Sequence, residues 1–359
     1  MPDLDENKRA EMLAEVRRRQ ARGRRPRMED VARLAQVSPM TVSRALNASS
    51  PVAAETRRRV LEVVDEIGYV PDQIASGLSS QRSGFVAILV PSLNNPHFGD
   101  TLGALSARLS EAGLQVLIGH TDYKPDGEEK LIETMLGRRP EVIVLTYDGH
   151  TDRSCALLDT AGIPVIEIWE TPREPLGHVV GFSNFEAARG LTAAMVEKGY
   201  KRLCFVGERV DEGTRGSERR AGFQAALQAA GLDCERCLSG APPPITMTDG
   251  ARSLPQILER WPDTDAIVAV SDPCAFGLMT ECQRRGISVP DQIAIAGFGD
   301  FEVSRLAEPG LTTVGVDASA IGWRTGDLIV EIRDAEQAGD ALPPQTVIVP
   351  ANPLMRRSA

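Results

Sequence analysis

The sequence predicts a small all-α headpiece followed by an α/β core of two doubly wound lobes. Three observations predict it. Residues 28–70 carry apolar positions at helical spacing only. From Phe85 onward, short apolar runs alternate with amphipathic stretches, the pattern of βαβ units and parallel sheets. Those runs form two tandem clusters, one before about Glu170 and one after about Gly181, which predicts a cleft at the strand C-termini. The 359 residues suit two or three domains, and 42% hydrophobic content is enough for packed cores.

Charge divides along the same line. The net charge of −10 by itself argues against a nucleic-acid partner. Its distribution reverses that argument. Residues 17–59 hold twelve arginines against three acidic residues, a net +9, whereas residues 86–359 hold 25 basic and 38 acidic residues, a net −13. A basic head on an acidic body confines DNA contacts to the head. No apolar run reaches the ~18 residues of a membrane span, and no apolar signal region opens the chain, so a cytoplasmic protein is expected. The six scattered cysteines, Cys155, Cys204, Cys234, Cys237, Cys274 and Cys282, read as reduced thiols.

Taken in order, residues 1–27 read as a basic, flexible tail carrying Arg17, Arg18, Arg19, Arg22, Arg24, Arg25 and Arg27. It is either a solvated segment or a phosphate-contacting arm. Residues 28–70 form the headpiece. Asp30 to Ala35 is the first helix, Val37-Ser38 the turn, and Pro39 to Leu46 the second helix, with Ser38 its N-cap and Pro39 at the first position. A third helix runs from about Ala54 to Ile67, with Val60, Val63, Val64 and Ile67 on one face and Gly68 as its stop. Residues 71–84 are a hinge helix and linker, and residues 85–359 the two-lobed core. Its strand-like runs are FVAILV, LQVLIG, EVIVLTY, IPVIEIWE, RLCFVG, DAIVAV and IAIAGFG.

Two short helices around a tight turn place the second helix in the DNA major groove. Pro39 and Met40 offer no conventional side-chain hydrogen bond there, so apolar contact with thymine methyls is expected. Arg44 is suited to guanine O6/N7 or, failing that, to a phosphate. Thr41, Ser43, Asn47 and Thr56 are placed for phosphate or structural contacts.

VARLAQVSPMTVSRALN and ETRRRVLEVVDEIGYVPD, then NNPHF, SDxxAxG and PxLTTV, occur in the order that resembles the lactose/galactose repressor family of bacterial transcription regulators. The resemblance covers residues 28–359. It implies a core like periplasmic sugar-binding proteins, a homodimer on palindromic operator DNA, and a small effector in the cleft that alters the hinge. It adds Ser38 and Tyr69 to the DNA contacts. In the hinge, PDQIASGLSS, it implies that Leu78 wedges into the minor groove with Ala75 on the same helix face. Asp72 and Ser76 depart from the family's usual asparagine and arginine. The helix FGDTLGALSARLSEAG would supply a dimer surface.

The same resemblance implies an effector pocket of Asn95, His97, Phe98, Tyr147, Asp148, Trp169, Asn184, Arg219, Ile245 and Asp272. Relatives often carry an aspartate where this chain has Gly299. Loss of that carboxylate beside Arg219 favours an anionic ligand, which takes a two-pronged guanidinium contact. HTDYKPDGEEKLIETML, IPVIEIWE, GFSNFEAARGLT and PMTVSRAL further resemble the gluconate-utilisation repressors. That implies a sugar-acid effector, gluconate or a close derivative, which releases the operator. A neutral sugar or nucleoside is the alternative.

Other classes fare worse. No P-loop, GxSxG elbow or HExxH is present, the four histidines are widely spaced, and CERC is a single CxxC. Catalytic, metal and cofactor sites are therefore not expected. A sugar-acting enzyme or a solute-binding protein would account for the core but not for the basic headpiece.

Overall fold

The computed structural model describes residues 6–46, 50–70, 83–146, 149–209 and 214–359, and among the described residues of the first unit are four helices built on 3–4 spacing of apolar residues. The chain divides into two units, Met1–Arg82 and Ser83–Ala359.

The first unit holds α1 (Glu6–Ala21), α2 (Met28–Ala35), α3 (Pro39–Leu46) and α4 (Ala54–Ile67). Its core is Val31, Leu34, Val42, Ala45, Val60, Val63 and Ile67. The stretch read as a flexible tail is corrected by the structure. Residues 6–21 form a helix, and Val16 is buried in the same core with Met12 and Leu13 half-buried beside it. Polar contacts fix the docking: Arg9 pairs with Glu66, Arg19 with Asp30, and Gln20 Nε2 donates to the Ile67 carbonyl at 2.9 Å. Three apolar residues among many arginines are a faint sequence signal, because it is burial of one valine rather than overall hydropathy that seats this helix.

The second unit follows the predicted alternation. A six-stranded parallel sheet contains β1 (Phe85–Val90), β2 (Gln115–His120), β3 (Val142–Thr146), β4 (Val165–Ile168), β5 (His178–Gly181) and, late in the chain, β11 (Thr346–Ile348). Its order is β11-β5-β4-β3-β1-β2. Helices α5 (Pro96–Glu111), α6 (Pro125–Leu136) and α7 (Asp152–Ala161) connect these strands. A four-stranded parallel sheet, β7-β6-β8-β9, contains β6 (Leu203–Gly207), β7 (Cys237–Ser239), β8 (Ala266–Ala269) and β9 (Ala294–Ala296). Its helices are α8 (Asn184–Glu197), α9 (Arg215–Ala229), α10 (Met247–Arg260), α11 (Asp272–Arg284) and the short α12 (Glu302–Leu306). Both sheets are covered on both faces, which is why their central strands are almost continuously apolar.

The lobes are not simply consecutive. After β10 (Thr313–Val316), helix α13 (Ala318–Ala338) returns to the first lobe, packs on α5 and leads to β11. The chain then closes with β12 (Ala351–Leu354), antiparallel to β10. Three crossings, near residues 181–184, 316–318 and 348–351, therefore join the lobes. Among the described residues, no helix is long and apolar enough to cross a membrane.

Candidate functional site

In the headpiece, α3 has two faces set by its sequence. Val42 and Ala45 turn into the core, while Pro39, Met40, Ser43 and Arg44 are exposed. Met40 is 64% exposed, which leaves an apolar side chain on the outer face of α3. Ser38 caps the helix as expected: its Oγ accepts from the Thr41 amide at 3.1 Å and lies 2.9 Å from Thr41 Oγ1, which leaves Thr41 half-buried. Thr56 is half-buried in the first turn of α4. Tyr69 departs from its expected role as a surface contact, since it is buried in the headpiece core. Arg57 was not singled out by the sequence. Its guanidinium donates to the carbonyls of Ala45 and Ser50, both at 2.7 Å, and so satisfies the end of α3 that has no helical partner. Asn47, Ala75 and Leu78 lie outside the described residues.

In the core, a cavity of roughly 360 Å³ opens between the C-terminal ends of the two sheets. Ends of β1, β4, β6 and β8 surround it; β1 lies beside the reversal of strand order in the first sheet, and β6 and β8 flank that of the second. Six of the ten expected pocket residues line it: Asn95, His97, Phe98, Trp169, Arg219 and Ile245. Asn95 also caps α5, accepting from the His97 amide at 3.0 Å. Tyr147 and Asp148 lie outside the described residues.

Arg219 is firmly held in the cleft. Its Nε donates to Asn184 Oδ1 at 2.7 Å, its Nη1 to the Val270 carbonyl at 2.8 Å, and its guanidinium stacks on Phe298 at 3.8 Å. Asn184 itself is fully buried and lines no part of the cavity. It acts from behind, and its Nδ2 also donates to the Trp169 carbonyl at 2.9 Å.

Asp272 is corrected outright. It lies below the cleft floor, fully buried, where it accepts from Thr313 Oγ1 and Ser304 Oγ, both at 2.5 Å, and from the Phe301 amide at 2.9 Å. Burial raises its pKa, against the pull of these donors. Its function is to tie α11 to the loop after β9 and to β10. A strand-end position does not determine which way a carboxylate turns.

The aromatic wall is continuous. His97 packs edge-on against Phe301, with centroids 4.0 Å apart, and Trp169 meets Phe98 at 5.5 Å. Burial pushes the His97 pKa down to about 4, so the ring is neutral near pH 7. His97 Nε2 and Trp169 Nε1 are both buried without a hydrogen-bond partner among the described residues. Buried polar atoms of this kind call for a partner.

The surroundings of Gly299 leave no room for the aspartate that the resemblance would put there. The φ of Gly299 is +129°, and a Cβ there would sit 2.5 Å from Phe301 Cε2 and 2.9 Å from His97 Nε2. With these two rings in place, a side chain at 299 has no room.

The sequence reading missed Glu208, Arg215, Tyr123 and Phe298, all of which line the cavity. A signal existed for two of them. Glu208 directly follows β6, and Arg215 precedes Arg219 by four, on the same face of α9. Arg215 is buried, with its guanidinium 5.3 Å from the Phe98 ring.

Comparison with known proteins agrees with both units. The profile described as "Bacterial regulatory proteins, lacI family" matches residues 27–72, and a "Periplasmic binding protein-like domain" matches residues 192–359. The chain is 33% identical over 291 residues to the HTH-type transcriptional regulator GntR of Escherichia coli (strain K12), covering 81% of this chain and 87% of that one. It is 34% identical over 317 residues to the regulator of the same name from Pseudomonas aeruginosa, covering 88% and 92%. A solved LacI family transcriptional regulator from Silicibacter pomeroyi is 46% identical, with a TM-score of 0.73 over 76% of this chain and 98% of its own. These relatives regulate transcription and are not enzymes. The headpiece, the two-lobed core and these matches together show that the chain belongs to the LacI family of DNA-binding transcriptional regulators.

Proposed function

We propose that the chain is a repressor of sugar-acid catabolism genes that leaves its operator when a sugar acid, gluconate or a close derivative, enters the cleft. In this reading it acts in the cytoplasm as a homodimer on palindromic DNA. Pro39, Met40 and Arg44 face base edges, and Ser38, Thr41, Ser43 and Thr56 face the phosphates.

The observation that carries the effector assignment is the braced Arg219 guanidinium, with Arg215 one helical turn away and no carboxylate at position 299. A planar guanidinium held on an aromatic ring is suited to a carboxylate. Trp169 Nε1 and His97 Nε2 are suited to ligand hydroxyls, because both lack a partner among the described residues. A neutral sugar is the second reading, favoured by the Glu208 carboxylate in the same wall.

Thermal unfolding with gluconate or with glucose separates these readings. A ligand at a hundred times its Kd stabilises by about 2.7 kcal/mol. Stabilisation by sugar acids supports the proposal, and stabilisation by a neutral hexose alone overturns it.

A further inference from the structure

We infer that the turn between α1 and α2 is a second DNA-binding surface, a fixed arginine clamp on the phosphate backbone. The inference rests on the family's DNA binding but concerns residues that precede most of the matched segment, 27–72.

Six arginines within eleven residues, Arg17, Arg18, Arg22, Arg24, Arg25 and Arg27, are exposed. Among the described residues none of the six forms an ion pair, whereas three other charges of α1 do: Arg9 with Glu66, Glu15 with Arg33, Arg19 with Asp30. Glu15, Asp30 and Glu66 thus serve docking, and the C-terminal end of the helix is left positive. Like charges this close repel one another, and a polyanion relieves that repulsion.

The placement is fixed by Asp30. This buried carboxylate in the first turn of α2 accepts from Arg19 of α1, from Arg33 at 2.8 Å and from the Arg27 amide at 2.9 Å. The arginine-rich turn is thereby held against the N-terminus of α2. When α3 of a helix-turn-helix lies in the major groove, the helix before it crosses the DNA backbone. The turn is then carried to phosphates beside the groove that α3 reads. Phosphate contacts carry no sequence information, so the clamp adds affinity and salt dependence but no base choice.

The test measures binding of the full chain to a random-sequence DNA duplex by fluorescence anisotropy across a salt series. The variant is Arg22→Gln, Arg24→Gln, Arg25→Gln combined. Arg138→Gln, Arg139→Gln, Arg173→Gln combined removes the same charge from exposed core positions. Each lost phosphate contact removes about 0.9 from the slope of log K against log salt, so the clamp variant is expected to lose about 2.7. The core variant is expected to keep the wild-type slope. A clamp variant that matches wild type overturns the inference while leaving DNA binding intact. Equal losses in both variants also overturn it, because the effect would then follow net charge alone. Absence of duplex binding by wild type would overturn the DNA reading and the clamp together.

Discussion

Asn184 and Arg219 are joined across two helices, Oδ1 to Nε at 2.7 Å, and this bond connects the cleft charge to the buried frame of the core. Asn184 opens α8, the first helix after the chain crosses between lobes, so the guanidinium is anchored close to a crossing. Arg219→Ala is expected to abolish thermal stabilisation by sugar acids. Asn184→Ala should leave the Trp169 carbonyl without its donor and cost about 1–3 kcal/mol of core stability. It should also weaken ligand stabilisation without abolishing it. Denaturant unfolding with and without gluconate checks both.

Gly299→Asp introduces the carboxylate that the family resemblance leads one to expect there, yet it should not create a carboxylate-lined site. The added Cβ meets Phe301 and His97, and φ of +129° strains any L side chain. A cost of about 1–3 kcal/mol is expected. Ligand stabilisation should be lost while DNA binding at moderate temperature persists. Calorimetry and a gel shift on the same preparation check the pair of outcomes.

His150 supplies a pH signature of the first lobe. Burial alone would lower its pKa, but Glu128, 2.7 Å from Nδ1, and Glu167, 3.4 Å from Nε2, raise it to about 9. A raised folded-state pKa contributes stability that is fully present below the unfolded value of about 6.5. That contribution is lost as pH rises through about 9. The Tm difference between wild type and His150→Gln should therefore shrink between about pH 6 and about pH 10. A constant difference would show that the imidazolium is not what Glu128 and Glu167 hold.

Arg44→Ala should cost roughly 1–3 kcal/mol on the specific site and relax discrimination there. Competition binding with operator and scrambled duplexes measures this. Equal weakening on both would make Arg44 a phosphate contact.

The sequence revealed what is local. Ala54–Ile67 and Phe85–Val90 form the predicted elements because their apolar spacing is unambiguous. β11 was not legible: three residues at a sheet edge, with only the middle one half-buried, carry no periodic signal. Nor does chain order reveal that α13 returns to the first lobe, since that packing is decided by contacts more than two hundred residues apart, such as Thr101 Oγ1 donating to the Ala318 carbonyl. In the cleft, resemblance located strand ends but not side-chain direction. Arg219 faces the cavity, whereas Asp272 turns to Ser304 and Thr313, whose hydroxyls touch it in space but lie 32 and 41 residues away along the chain.

A sugar acid in the cleft is expected to decide whether the headpiece holds DNA. A gel shift on the promoter region of the protein's own gene, with and without gluconate, tests it most directly. The expected result is a specific shift that gluconate reverses, that glucose leaves intact, and that gluconate fails to reverse in Arg219→Ala. A shift insensitive to gluconate but reversed by a neutral hexose would contradict it.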